Sequence, residues 1–250
     1  MKLSEQERAV IRESFQTMTV VQKLDYIFEY YKPALLAVAI ALIILSSVAY
    51  RTITHKDVLL YTAYANIAVG DTLDTALNEG FVRATGDNPR KNEVYLYRGL
   101  YLSQDASQEN HEYAYASQLK VLATIANQQL DALLMNREAY DLLSASGYLL
   151  PLEELLEQDS ALSTQLAARL TSNTVILEDN AIEYNLNETD TYHAVTEEVV
   201  NGIDISSFPL FDRAGFSGDV YFGVIGNSPR LDTVLQYIAY LTAEPEADSL

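Results

Sequence analysis

Between Pro33 and Tyr50 the chain reads PALLAVAIALIILSSVAY, 18 residues without a charge. No other feature restricts the possible folds as much. As a helix this stretch rises about 27 Å at about 1.5 Å per residue, close to the ~30 Å hydrocarbon core of a bilayer. Tyr30 and Tyr31 before it and Tyr50 at its end supply interfacial aromatics, and Lys32 and Arg51 are placed to reach the headgroups. A buried core helix is the competing reading, and the length of the run speaks against it. A cleaved signal peptide is the other alternative, with Ser47-Val48-Ala49 as small residues at cleavage-site offsets. The 32 residues ahead of the run are long for an n-region, however, and the run exceeds a usual h-region. The sequence therefore predicts an uncleaved single-pass anchor over 33–50, a tail over 1–32 and an outer domain over 51–250.

Within the tail, Ser4 and Glu7 fit a capping box. Val20, Val21, Leu24, Ile27, Phe28 and Tyr31 then recur at helical spacing, which predicts a helix lying in the headgroup region or against a partner. Lys2, Arg8, Arg12, Lys23 and Lys32 precede the run, and Arg51 and Lys56 follow it closely. That bias puts the N-terminus in the cytoplasm and the 200 residues after the run outside.

Charge and composition then narrow the chemistry. The 16 Lys+Arg and 35 Asp+Glu of the chain include five of each in the first 32 residues, leaving 11 and 30 for the rest. A surface so acidic repels phosphate backbones, so nucleic acid is excluded as a partner. No cysteine is present, which removes disulfides, thiol catalysis and cysteine-ligated metals. His55, His111 and His193 lack metal-ligand spacing, and no phosphate loop, nucleophile elbow, zinc-protease motif or calcium loop occurs. Paired carboxylates such as Glu153/Glu154, Glu178/Asp179 and Glu197/Glu198 read as solvated surface, because adjacent positions do not converge on a helix. The expectation is a non-enzymatic protein without metal or cofactor.

Beyond the anchor, strands and helices alternate. Asp57–Tyr64, Val94–Tyr97 and Asp131–Met135 read as strands. Gly70–Gly86, Ala114–Gln129 and Arg137–Ser146 read as helices, the last closed by Gly147. Apolar faces fall at Leu73, Ala76, Leu77 and Phe81 in the first helix and at Leu119, Leu122 and Ala126, flanked by Ala123 and Ile125, in the second. Short connections between strand and helix predict a largely parallel sheet covered on both sides. Later, Pro151–Glu157 and Leu162–Leu170 suggest short helices, and Thr174–Leu177 with Ala181–Leu186 a hairpin. Loops are predicted over 187–218, followed by a strand over Val220–Ile225 and a helix over Leu231–Leu241. Val58, Leu60, Leu96, Leu133, Leu134, Val224 and Leu235 are the expected core, and Tyr61, Tyr64, Tyr95 and Tyr97 read as half-buried strand residues.

One segment carries a more particular pattern. Ser117–Asp131 leads from a helix into an aspartate-headed strand, Arg137–Ser146 returns as helix, and Gly147 is followed by Pro151-Leu152-Glu153-Glu154. This resembles the extracellular solute-binding proteins of ABC importers, and Val220–Pro229 with the helix after it is similar to that family's returning strand and helix. The segment Lys23–Lys32 is similar to single-pass membrane proteins of Gram-positive anaerobes. The resemblance implies an α/β domain like one lobe of a type II periplasmic-binding protein. It covers roughly 60 of the 200 residues, and residues 157–218 are too few for a second lobe, since one crossover unit already takes ~30 residues.

The function that follows is an anchored module capturing a small polar solute for a transporter or signalling partner. The alternative is a non-catalytic interaction or assembly domain that has lost the cleft. Ligands of open α/β sheets bind beyond the carboxyl ends of strands. That rule selects Tyr64, Asn66, Gly99, Tyr101, Met135, Asn136, Asn227 and Ser228 as candidate ligand-binding residues. Arg98 and Arg137 are the available clamps for an acidic ligand, or else ordinary surface ion-pair partners.

Overall fold

The computed structural model describes residues 19–20, 32–104, 110–181, 184 and 191–244, with the side chains of 48–54 outside that description. The predicted tail helices and the C-terminal end fall outside the described residues. The chain divides into two units, Met1–His55 and Lys56–Leu250.

In the first unit, helix α1 runs unbroken over Lys32–Thr54, 23 residues and about 35 Å. Pro33 lies in its first turn, where a missing N–H costs nothing. Leu36, Val38, Ile40, Leu42, Ile43, Ile44 and Leu45 are all exposed, so the helix is apolar around its circumference rather than on one stripe. Ser46 returns its hydroxyl to the carbonyl of Ile43 (3.0 Å), leaving no free donor there. Among the described residues no helix is long and apolar enough to cross a membrane. The described side chains of α1 stop at Ser47, three residues short of the end of the uncharged run.

The second unit is built on one six-stranded sheet in the order β2-β1-β3-β6-β5-β4. The strands are β1 Asp57–Ala65, β2 Asn92–Leu100, β3 Ala132–Met135, β4 Leu170–Asp179, β5 Ala194–Asp204 and β6 Tyr221–Val224. A helical stretch joins β1 to β2: α2 Asp71–Thr75, a π-turn Ala76–Gly80 and α3 Phe81–Ala84. Helix α4, His111–Ala126, joins β2 to β3. After β3 come α5 Arg137–Ala145, α6 Leu152–Leu156 and α7 Ser160–Leu166; α8 Pro209–Arg213 precedes β6 and α9 Leu231–Thr242 follows it.

The sheet is mixed, not largely parallel. β1 pairs in parallel with β2 and β3, but β6 runs antiparallel to β3, and β5 and β4 continue antiparallel. The pattern of β6 is apolar whichever way it runs. Its direction is set by the route of the chain through Ile205–Asp219, which local residue type does not encode. The hairpin also differs from expectation: β4 pairs with Ala194–Asp204, within the stretch read as loop that also holds α8, rather than with Ala181–Leu186, most of which lies outside the described residues.

Each face of the sheet carries its own core. Leu60, Tyr64, Val94, Leu134, Phe222 and Val224 meet Leu73, Leu77 and Phe81 of the α2–α3 stretch and Tyr237 and Ile238 of α9. On the reverse, Ala63, Leu133 and Met135 meet Val121 and Ile125 of α4 and Tyr140 and Leu143 of α5. β3 is buried along its whole length, as a strand covered on both faces must be. Of the expected core, Leu60, Leu133, Leu134 and Val224 are buried, while Val58, Leu96 and Leu235 are half-buried. Helix α4 buries Ala114, Ser117, Val121 and Ile125. Ile125 is buried as expected, but the face is rotated from the predicted one and leaves Leu119 and Leu122 exposed.

Candidate functional site

The strand order β2-β1-β3 reverses the direction of the crossovers, placing α2–α3 on one face and α4 on the other. The carboxyl ends of β1 and β3 therefore flank the topological switch point, where an open sheet ordinarily offers a crevice. Six of the eight candidate residues gather at this end of the sheet.

Five of the six have a structural task visible in their hydrogen bonds or packing. Asn66 adopts φ 58°, a conformation asparagine tolerates better than most residues. Its amide clasps the backbone of Leu102, donating to the carbonyl and accepting from the N–H, both at 2.7 Å. Gly99 sits at φ 69° and accepts the Tyr113 hydroxyl on its carbonyl. The N–H of Tyr101 donates to Ser117 Oγ (3.2 Å). Met135 is fully buried and packs where a side chain at Gly223 would stand. Asn136 caps α5 by accepting from the N–H of Ala139 at 3.0 Å.

Tyr64 points to the opposite face, under α2. Arg98 meets Asp74 through both ends of its fork, Nε to Oδ1 at 3.1 Å and Nη2 to Oδ2 at 2.5 Å. The Tyr64 hydroxyl is buried beside this pair without a hydrogen-bond partner, as is the hydroxyl of Thr62 two residues earlier. Burial foremost, and then Asp74, push the Tyr64 phenol far above its usual range, with Arg98 opposing. Next to them the π-turn exposes carbonyls that α9 satisfies: Tyr237 donates to Leu77 (3.1 Å) and Tyr240 to Ala76 (2.8 Å). A shallow cavity of ≈ 330 Å³ lies at the same end, between Ala68–Leu73 and Ala214–Ser217. Its lining has small and apolar side chains with two hydroxyls and no titratable group.

Asn227 and Ser228 lie at the other end of the sheet, because β6 is antiparallel. There Ser228 and Arg230 form a clamp around Asp131, which heads β3 and is fully buried. Asp131 Oδ2 accepts from the N–H of Tyr61 (2.8 Å), and Oδ1 accepts from Ser228 Oγ (2.6 Å). Arg230 Nε stands 3.4 Å from Oδ2, with its guanidinium 4.7 Å above the Tyr61 ring and an Nη2 bond to the Gln128 carbonyl at 3.0 Å. Asn227 donates to the Ile125 carbonyl (2.8 Å). The arrangement ties the β6–α9 turn to the start of β3. Residue-by-residue reading missed this role; an aspartate opening an apolar, fully buried strand was its one signal.

A second polar seam lies under the β4–β5 hairpin. Tyr140 Oη shares its one proton between Asn201 Oδ1 (2.8 Å) and the Thr171 carbonyl (2.9 Å). Asn201 donates to Ser144 Oγ (2.8 Å), which donates to the Thr174 carbonyl (3.0 Å). Asn173 reaches Asp141 (2.8 Å), itself paired with Arg137 at 2.7 Å. Arg98 and Arg137 thus both serve as ion-pair partners. A smaller cavity, ≈ 190 Å³, separates α4 from α5. Among the described residues no group of three or more His, Cys, Asp or Glu side chains could hold a metal ion. No protein-family model, no curated protein and no solved structure matches the chain.

Proposed function

We propose that this chain is a membrane-anchored interaction module, with α1 as a single-pass anchor and the α/β domain outside the cytoplasmic membrane. The anchor rests on an 18-residue uncharged run that lies within one continuous 23-residue helix. Orientation rests on the five cations ahead of the run. The reading of the domain is carried by the state of the switch point. Asn66, Asn136 and the backbone of Gly99 and Tyr101 spend their hydrogen bonds on the fold, and Met135 fills the space beside Gly223. The described residues from Lys56 onward form one sheet with its helices, and no second lobe stands across from the switch point to enclose a solute.

Capture of a small polar solute is the second reading. In its favour is the ≈ 330 Å³ cavity between Ala68–Leu73 and Ala214–Ser217, within the lower range of ligand sites. Thermal unfolding against a panel of sugars, amino acids and short peptides separates the two. A true solute at 100-fold excess over its Kd adds about 2.7 kcal/mol of stability, whereas an interaction module shows no shift and co-purifies with a membrane protein. Protease added to intact cells should remove the domain. Its protection there, together with digestion after lysis, would reverse the orientation.

A further inference from the structure

Strand β5 joins the sheet by a short length only. Its pairing with β6 is confined to Ile203 and Asp204, and farther along β6 Ile225 bridges to Leu149 instead. From Ala194 to Gly202 the second edge of β5 has no strand partner among the described residues. The β4–β5 hairpin accordingly leaves the sheet as a two-stranded arm paired from Leu170/Ile203 to Asp179/Ala194. Toward its far end the arm exposes Leu177 and Val195, each more than half accessible, with Glu197 and Glu198 between Val195 and the buried Asn201.

An edge of this kind is ordinarily protected by lysine, proline or a cover. Here the protection is of one sign. From Leu170 to Asp212 the sequence holds nine acidic residues and neither lysine nor arginine. Charge therefore selects what adds to the edge. A second copy of the arm would bring acid against acid, which is unfavourable for residues opposed across strands. A basic extended segment would bring lysine or arginine against Glu197 and Glu198, set apolar side chains against Val195, and complete the backbone ladder.

We infer that the free edge of β5 is a docking strand for a basic, extended polypeptide segment of a partner protein. The inference rests on the interaction-module reading and names the partner chemistry for it. The seam of Tyr140, Ser144 and Asn201 holds the root of the arm, so the edge is presented in fixed register before any partner arrives.

The test uses the full chain in detergent micelles and a labelled synthetic peptide in which an adjacent Lys-Lys pair is flanked by valine, followed by fluorescence anisotropy. Three arms accompany it: the Glu197→Lys/Glu198→Lys variant, the Glu153→Lys/Glu154→Lys variant, and the same peptide N-methylated at alternate residues. The second variant makes the same charge change on the exposed side of α6. The expected result is binding weakened about tenfold or more by the β5 variant, unchanged by the α6 variant and abolished by N-methylation. Equal weakening by both variants would reduce the effect to the general negative charge and overturn the proposal. So would indifference to N-methylation, absence of binding, or a dimer of the parent chain lost in the β5 variant. Anchoring and solute capture are read by other assays, so the parent reading can fail while this measurement stands.

Discussion

Replacing Asp131 with alanine removes the acceptor on which two separate segments converge, β1 at Tyr61 and the β6–α9 turn at Ser228 and Arg230. The Tyr61 N–H, 2.8 Å from Oδ2, and the Ser228 hydroxyl, 2.6 Å from Oδ1, lose their partner in a site with no solvent access. A hydrogen bond to a charged group contributes about 1.5–3 kcal/mol, and an orphaned buried donor costs about 1–3 kcal/mol. Arg230 is about a quarter exposed (23%), so water and the Gln128 carbonyl compensate much of its loss. The balance is about 3–5 kcal/mol, the range for breaking a buried charged site by removing one member. For a unit of this size that lowers Tm by roughly 10 °C. The assay is urea unfolding of the full chain followed by tyrosine fluorescence, with Asp131→Asn retaining one acceptor and losing roughly half as much. Alanine and asparagine variants both within about 1 kcal/mol of the parent would refute the clamp as a holder of the β6–α9 turn.

Other perturbations test the remaining features. Tyr140→Phe should cost about 1–3 kcal/mol and accelerate amide exchange in β4 and β5 before the rest of the sheet, because it unhooks Asn201 and the Thr171 carbonyl. Gly202→Ala should cost about 1–3 kcal/mol in chemical unfolding, since its Cβ would stand 2.6 Å from the Tyr140 ring. Tyr64→Phe should leave stability unchanged or raise it by about 1 kcal/mol, whereas Tyr237→Phe should lower it by about as much; the two hydroxyls differ in having no partner and the Leu77 carbonyl. Burial raises both phenols, so the folded state retains protons that the unfolded state releases above about pH 10. Stability is full below that pH and falls as pH rises beyond it. Tyrosinate absorbance from these two residues should therefore appear together with unfolding, not ahead of it.

The parts of the fold legible in the sequence are those whose burial is complete. β3 reads as apolar on both faces, and Leu73, Ala76, Leu77 and Phe81 fall on one helical side; both were identified, and both are buried as expected. β5 was missed for the opposite reason. Its outer half is solvated, so Val195–Glu198 shows no alternation. Asn201-Gly202 has the composition of a turn, yet it is a buried bulge serving Tyr140 and Ser144. The candidate site was located by a rule that holds for parallel strands. It placed Tyr64, Asn66, Gly99, Tyr101, Met135 and Asn136 at one end, and it misplaced Asn227 and Ser228 once β6 proved antiparallel. No residue pattern within Tyr221–Val224 distinguishes the two directions.

The polar seam under the hairpin gives the free edge its meaning. Asn201, Tyr140 and Ser144 are all buried, and an apolar set of similar volume would serve stability at least as well. What apolar packing does not supply is register. A slip of one residue exchanges the two faces of a strand, and in β5 it would bury Val200 where Asn201 now bonds Tyr140 and Ser144. Tyr140 Oη and Ser144 Oγ would each then lose their bond to Asn201 while keeping those to the Thr171 and Thr174 carbonyls, at about 0.5–1.5 kcal/mol each. Register is thus enforced at the root, where Asn201 sits, and transmitted along the ladder to Glu197 and Glu198. A partner strand meeting an edge already in register loses little conformational freedom in the arm on binding. The seam makes the arm a rigid template, and the acids determine which chains the template accepts.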